Sequence, residues 1–220
     1  MEPSDILICI VTTKIYKETR LKALRETWLK DANYMIFSDE EDIDNHIMKV
    51  SDDNTYKSNV EKTNEMLYWI HNFGTKKWYF YADDDVFVNM REMNEYVKTL
   101  DDNVVYGYEF TPTRSTAHLP SFWKMFEPGF TYLSGGAGIV ISKKVVDIIY
   151  DKIHIYDPAC ADINIGLCIR KLQIPIGHDD RFHPFTPARH NCSNEIKKCL
   201  TFHKINIDHQ YALHFQCSDS

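Results

Sequence analysis

Apolar positions in this chain fall into short continuous runs separated by amphipathic stretches. The run from Asp5 to Thr13 reads Ile-Leu-Ile-Cys-Ile-Val between polar ends. Its β-branched content and lack of alternation predict a strand buried on both faces, as in a parallel sheet. Leu21, Leu24, Arg25 and Trp28 then recur at three- and four-residue spacing, which predicts a helix with Leu21, Leu24 and Trp28 as its core stripe. Tyr34 to Phe37 is a second strand, followed by an acidic loop from Asp39 to Asp44. A longer helix places Val60, Leu67, Ile70 and Phe73 on one face and stops at Gly74. The apolar run Trp78 to Ala82 then leads straight into Asp83-Asp84-Asp85. This alternation predicts an α/β protein with a parallel, doubly wound sheet.

The second half is less regular. Val104 to Tyr108 reads as a strand. Pro112 to Pro128 reads as a loop that holds Trp123 and Phe126. Tyr132 to Ser142 is a strand interrupted by Gly135, Gly136 and Gly138, and helices are expected over Val145–Tyr150 and Ile163–Leu172. There is no internal repeat, biased tract or linker, so residues 1–220 read as one domain.

Composition narrows the class. With 44% hydrophobic and 26% charged residues, the chain is ordinary globular material, long enough for a sizeable core. A net charge of -7 leaves no basic face to neutralise phosphates, which argues against nucleic acid. No apolar run is long enough to span a bilayer. Cys9, alone in the first apolar run, reads as a buried thiol. Cys160, Cys168, Cys192, Cys199 and Cys217 cluster in the last third, and neither close pair has a two-residue zinc gap. Disulfides in an oxidising compartment are expected instead, with a Cys160–Cys168 bridge steadying the intervening segment. Asn191-Cys192-Ser193 also fits a glycosylation sequon.

Four features carry candidate chemistry. Three successive carboxylates at the end of an apolar strand are costly unless neutralised. The carboxyl edge of parallel strands is also where such sheets bind ligands, so a hard cation fits Asp83–Asp85 better than a solvated turn does. The glycines of Ser134-Gly135-Gly136-Ala137-Gly138 allow close approach of a ligand, or simply make a tight turn. Asp162, at a helix start, reads by default as a cap, with a general base as the functional alternative. Finally, His183 and His203 lie among aromatics, where packed histidines are commoner than ligands.

Taken in order, these segments resemble the Fringe and core 1 β1,3-galactosyltransferase group, closest to the core 1 enzymes. The resemblance covers nearly the whole chain. It includes Arg25-Glu26-Thr27-Trp28, the Trp78–Val88 strand with its Asp triplet, Leu133–Ser142, Asp162–Cys168, His183-Pro184-Phe185-Thr186-Pro187 and Cys199-Leu200-Thr201-Phe202-His203. It implies a GT-A glycosyltransferase fold, with a donor-binding half over about residues 1–100 and an irregular acceptor-side half over about 101–220. It also implies a UDP-sugar donor and Mn²⁺ or another divalent cation. The metal ligands it implies are Asp85 and His203. Thr12, Arg25, Asp83, Asp84, Gly135 and Gly136 fall on the donor side, and Asp162 is the base. Trp123 and Tyr132 are expected against the acceptor sugar, with ordinary core as the alternative.

The chain departs from the core 1 pattern at Ala161, where an acidic residue is usual. It also lacks the cysteine that would partner Cys9, and the family's anchor and stem. A trimmed catalytic domain working in the Golgi lumen, or a divergent soluble member, is therefore expected. The reaction implied is inverting transfer of a hexose to a glycan or glycoprotein, with galactose in β1,3 linkage first and Fringe-like N-acetylglucosaminyl or glucosyl transfer second. A homodimer is compatible with it. Two rivals come from other classes: an Asp-x-Asp phosphohydrolase with Asp83 as nucleophile, and a non-catalytic glycan-binding or chaperone relative.

Overall fold

Strand β1 (Ile6–Val11) is buried along its length because it has a core on each side. Ile6, Ile8 and Ile10 pack into one cluster, and Cys9 and Val11 into another. The period-two alternation of a strand sends neighbouring side chains to opposite faces, so a continuous apolar run is what a two-faced sheet requires. The computed structural model describes residues 5–111, 129–153, 160–190 and 195–218. The expected loop with Trp123 and Phe126, and the sequon with Cys192, lie outside these residues.

After β1 come helix α1 (Lys22–Glu26) and strands β2 (Tyr34–Ser38) and β3 (Ile47–Lys49). Helix α2 (Asn59–Phe73) leads to β4 (Trp78–Asp83), and β5 (Phe87–Val88) precedes α3 (Met90–Tyr96). Strands β6 (Val105–Gly107), β7 (Glu109–Phe110), β8 (Tyr132–Leu133) and β9 (Ile139–Ser142) follow, then helices α4 (Lys143–Ile149) and α5 (Ala161–Lys171). The chain closes with β10 (Ile176–His178), β11 (Phe182–His183), α6 (Pro187–His190), β12 (Thr201–Phe202) and α7 (Ile207–Ser218).

The main sheet has seven strands in the order β10-β6-β9-β4-β1-β2-β3. It is mixed rather than wholly parallel, because β9 runs antiparallel to both β4 and β6. Ile139 pairs with Tyr81, so β9 begins at the edge where β4 ends and runs back along it.

The Leu21–Leu24–Trp28 stripe is buried as expected, but its helix is not uniform. A wide π-type turn over Lys17–Leu21 precedes α1, and Thr27, whose hydroxyl donates to the Ala23 carbonyl at 2.6 Å, ends it. In α2, Val60, Leu67 and Ile70 are buried, but Phe73 is 65% exposed. It stands on the last turn, against Trp69. Lys62 and Thr63, from the same helix, are buried in its stead.

The Cys160–Cys168 bridge is not formed, and Cys168 is a free thiol. Cys160 caps α5 and Cys168 lies on it, which separates their Cα atoms by about 12 Å along the helix, well beyond disulfide reach. Cys9 is the buried thiol expected of it, and burial pushes its pKa far up. Cys217 is likewise free and buried.

Candidate active site

Asp83 pairs in register with Val11, so the Asp triplet starts where β4 and β1 end together. The alternation of β4 puts Tyr79 and Tyr81 on one face and Trp78, Phe80 and Ala82 on the other. The triplet then turns out of the sheet into a cleft of about 670 Å³. Thr12, Arg20, Tyr132, Gly135, Gly136, Asp162 and His203 also line that cleft.

A small second sheet brings His203 to the triplet. Strand β12 pairs antiparallel with β5, setting Phe202 opposite Phe87, and the Ile205 N–H donates to the Asp85 carbonyl at 2.9 Å. His203 Nε2 consequently lies 3.2 Å from Asp85 Oδ1. The other ring nitrogen, Nδ1, is 3.2 Å from the Pro184 carbonyl, an acceptor, and so carries a proton. That leaves Nε2 as the nitrogen facing the carboxylates. Asp83, Asp85 and His203 each offer an atom within 4.8 Å of the others'. Gly136 makes room for this imidazole, because a Cβ there would come within 2.7 Å of three of its ring atoms.

The three carboxylates are in different states. Asp84 is 6% exposed and held on both oxygens, by the Thr12 hydroxyl at 2.5 Å and by Arg20 Nη1 at 2.7 Å. Burial outweighs those bonds and raises its pKa. For Asp85, burial pulls upward, but the His203 hydrogen bond and charge, with Arg20, hold it below the usual range. His203 is raised, since Asp85 and Asp83 overcome the effect of burial. Asp83 is pushed up to about 7 by burial and by repulsion from Asp85. A carboxylate so placed needs a further positive charge to stay ionised at neutral pH, and the Asp83–Asp85–His203 donor set suits a divalent cation.

Asp162 is the second residue of α5 rather than its cap. Its Oδ2 accepts the Gly135 N–H at 3.1 Å, so the glycine turn orients it. Gly166 lets α5 close onto β8, with its α-carbon face against Tyr132. Phe110 stands in the cleft wall with Tyr132 and Phe185, whose ring centroids are 6.2 and 6.3 Å from its own. His183 is a packed histidine, stacked on Phe202 at 4.8 Å.

The cleft thus gathers Thr12, Asp83, Asp84, Asp85, Tyr132, Gly135, Gly136, Asp162 and His203. Arg25 is not among them. Its Nη2 donates to the Asn45 carbonyl at 2.7 Å, away from the cleft. Arg20 is the arginine at the triplet, and sequence reasoning missed it. The wide turn over Lys17–Leu21 shifts the helical phase that spacing assumes, so no regular pattern would have shown it. Phe110 and Lys204, also in the wall, carried no signal of their own.

The fold is that of the GT-A glycosyltransferases, with the Asp triplet, the glycine turn and Asp162 lining one cleft. The chain belongs to the Fringe-like family, whose model matches residues 1–216. It is 24% identical over 219 residues to the human β-1,3-glucosyltransferase, a match covering 94% of this chain and 41% of that one. To the chicken β-1,3-N-acetylglucosaminyltransferase lunatic fringe it is 29% identical, over 64% of this chain and 42% of the other. To mouse β-1,3-galactosyltransferase 1 it is 23% identical, over 94% and 72%. The chain therefore spans less than half the length of the first two relatives. Among solved structures, the galactosyltransferase LgtC, determined with donor and acceptor sugar analogues, superposes with a TM-score of 0.57 at 13% identity, over 97% of both chains. Among the described residues no helix is long and apolar enough to cross a membrane.

Proposed function

We propose that this chain catalyses inverting transfer of a hexose from a UDP-sugar to a hydroxyl of a glycan or glycoprotein, in β1,3 linkage. The observation that carries the reading is the Asp83–Asp85–His203 cluster in the same cleft as Asp162. Asp83, Asp85 and His203 Nε2 would hold a divalent cation such as Mn²⁺. When bound, it would supply a Lewis acid for the negative charge that develops on the departing diphosphate. Arg20, at the edge of the same cleft and paired with Asp84, adds a fixed positive charge there. Asp162, its Oδ2 anchored by Gly135, takes the proton of the acceptor hydroxyl as the new bond forms on the opposite face of the sugar carbon. A single displacement of this kind needs no protein nucleophile. Phe110, Tyr132 and Phe185 offer aromatic faces on which an acceptor sugar can stack.

Galactose, N-acetylglucosamine and glucose are all transferred by relatives bearing those names, and galactose is the first candidate here. The cation cluster counts against the non-catalytic rival, and the family membership against the phosphohydrolase. A UDP-release screen of the three UDP-sugars with Mn²⁺, with and without simple glycoside acceptors, tests the proposal. Acceptor-dependent UDP release lost on chelation is the expected result. No release from any of them, in a protein that also fails to bind UDP, would overturn it.

A further inference from the structure

Lys62 is the only lysine buried among the described residues, and its side chain has no solvent exposure. It lies on a helix whose spacing predicts an apolar stripe, and an ammonium there is costly to bury. Its Nζ donates to the Thr12 carbonyl at 2.9 Å and lies 3.4 Å from Asp39 Oδ1, whose side chain is equally buried. The same Asp39 oxygen accepts the backbone N–H of Lys14 at 3.0 Å. One ammonium therefore ties together the ends of β1 and β2 and the body of α2. Such a pair adds little stability over a well-packed apolar pair, so stability does not explain why it is there.

What Thr12 does next explains it better. Its carbonyl is held by Lys62, and its hydroxyl holds Asp84 Oδ2 at 2.5 Å. Arg20 takes the other Asp84 oxygen and lies 3.9 Å from Asp85 Oδ2. Asp84 is thereby occupied on both sides, which leaves Asp83 and Asp85 to face His203. We propose that Lys62 is a positioning residue for the donor side of the cleft: through Thr12 it decides which carboxylates of the triplet are left for a cation and a diphosphate. This role rests on the donor reading above.

The test is calorimetry of UDP with Mn²⁺ on the whole chain, comparing wild type, Lys62→Met and Leu67→Ala. Leu67 is buried on the same helix and is not part of the cleft lining, so its truncation lowers Tm without touching the Thr12 network. Lys62→Met should weaken UDP binding by about tenfold. It should raise the donor KM while the acceptor KM stays unchanged. Leu67→Ala should leave UDP affinity within about twofold of wild type. Where Lys62→Met leaves Asp39 unpaired and does not fold, the neutral Lys62→Met/Asp39→Asn variant serves for the same comparison. UDP affinity in either variant equal to that of Leu67→Ala would overturn the positioning role alone. A wild-type protein that bound no UDP would overturn the donor reading and this role with it.

Discussion

Single side chains set the chemistry of the cleft, and two of them give sharp predictions. Asp162 touches the cleft through a carboxylate that Gly135 orients. Asp162→Asn keeps the shape and removes the proposed base, so turnover should fall by about 10²–10⁴-fold while UDP affinity is retained. Steady-state rates beside calorimetry separate the two, and near-wild-type transfer would remove Asp162 from its role. Gly136 acts by having no side chain. A methyl group there would meet the His203 ring, so Gly136→Ala should displace the imidazole and weaken Mn²⁺-dependent UDP binding, with little loss in Tm. An unchanged cation dependence would show that His203 is not a ligand. The Asp triplet was legible from residues alone, because an apolar run ending in three carboxylates raises a charge problem. His203 was not. A histidine beside a phenylalanine is ordinary, and only the family resemblance singled it out before β12 was seen to pair with β5.

Elements decide whether those side chains meet. Helix α5 lies close on β8 because Gly166 faces Tyr132. Gly166→Ala gains about 1 kcal/mol of helix propensity and loses about 1–3 kcal/mol through overpacking. The helix should shift away from Tyr132, carrying Asp162 with it. Tm and kcat should both drop while donor affinity holds, and unchanged kcat would mean that the helix absorbs the methyl group. The elements also show where periodicity misled. Spacing placed Leu21, Leu24 and Trp28 correctly, but the wide turn over Lys17–Leu21 lies outside that regular period and carries Arg20, which pairs with the triplet. Helix α2 was expected to carry Val60, Leu67, Ile70 and Phe73 on one face, yet it also buries Lys62. A pattern of hydrophobicity has no means of marking a lysine whose partner, Asp39, comes from another strand end.

At the scale of the molecule, the cleft lies at the seam of two sheets, with the carboxylates on the large one and the histidine on the small one. Stability rests on the two cores that flank the large sheet rather than on cross-links within α5. Cys9, Cys168 and Cys217 are free and at most 9% exposed. A thiol reagent should therefore react slowly with these three in the native protein and fully in denaturant. Thiol titration with mass mapping checks this, and blockage of any of them after unfolding without reductant would contradict it.

The succession of β1, α1, β2, α2 and β4, the two-faced burial of β1 and β4, and the acidic strand end all follow from the sequence by itself. They are local properties, set by side-chain period and by the cost of exposing apolar or crowding charged groups. The antiparallel course of β9, the meeting of His203 with Asp85, the exclusion of Arg25 and the burial of Lys62 were decided by the tertiary structure. Each depends on contacts between segments distant in the chain, or on one irregular turn, and a regular period carries no information about either.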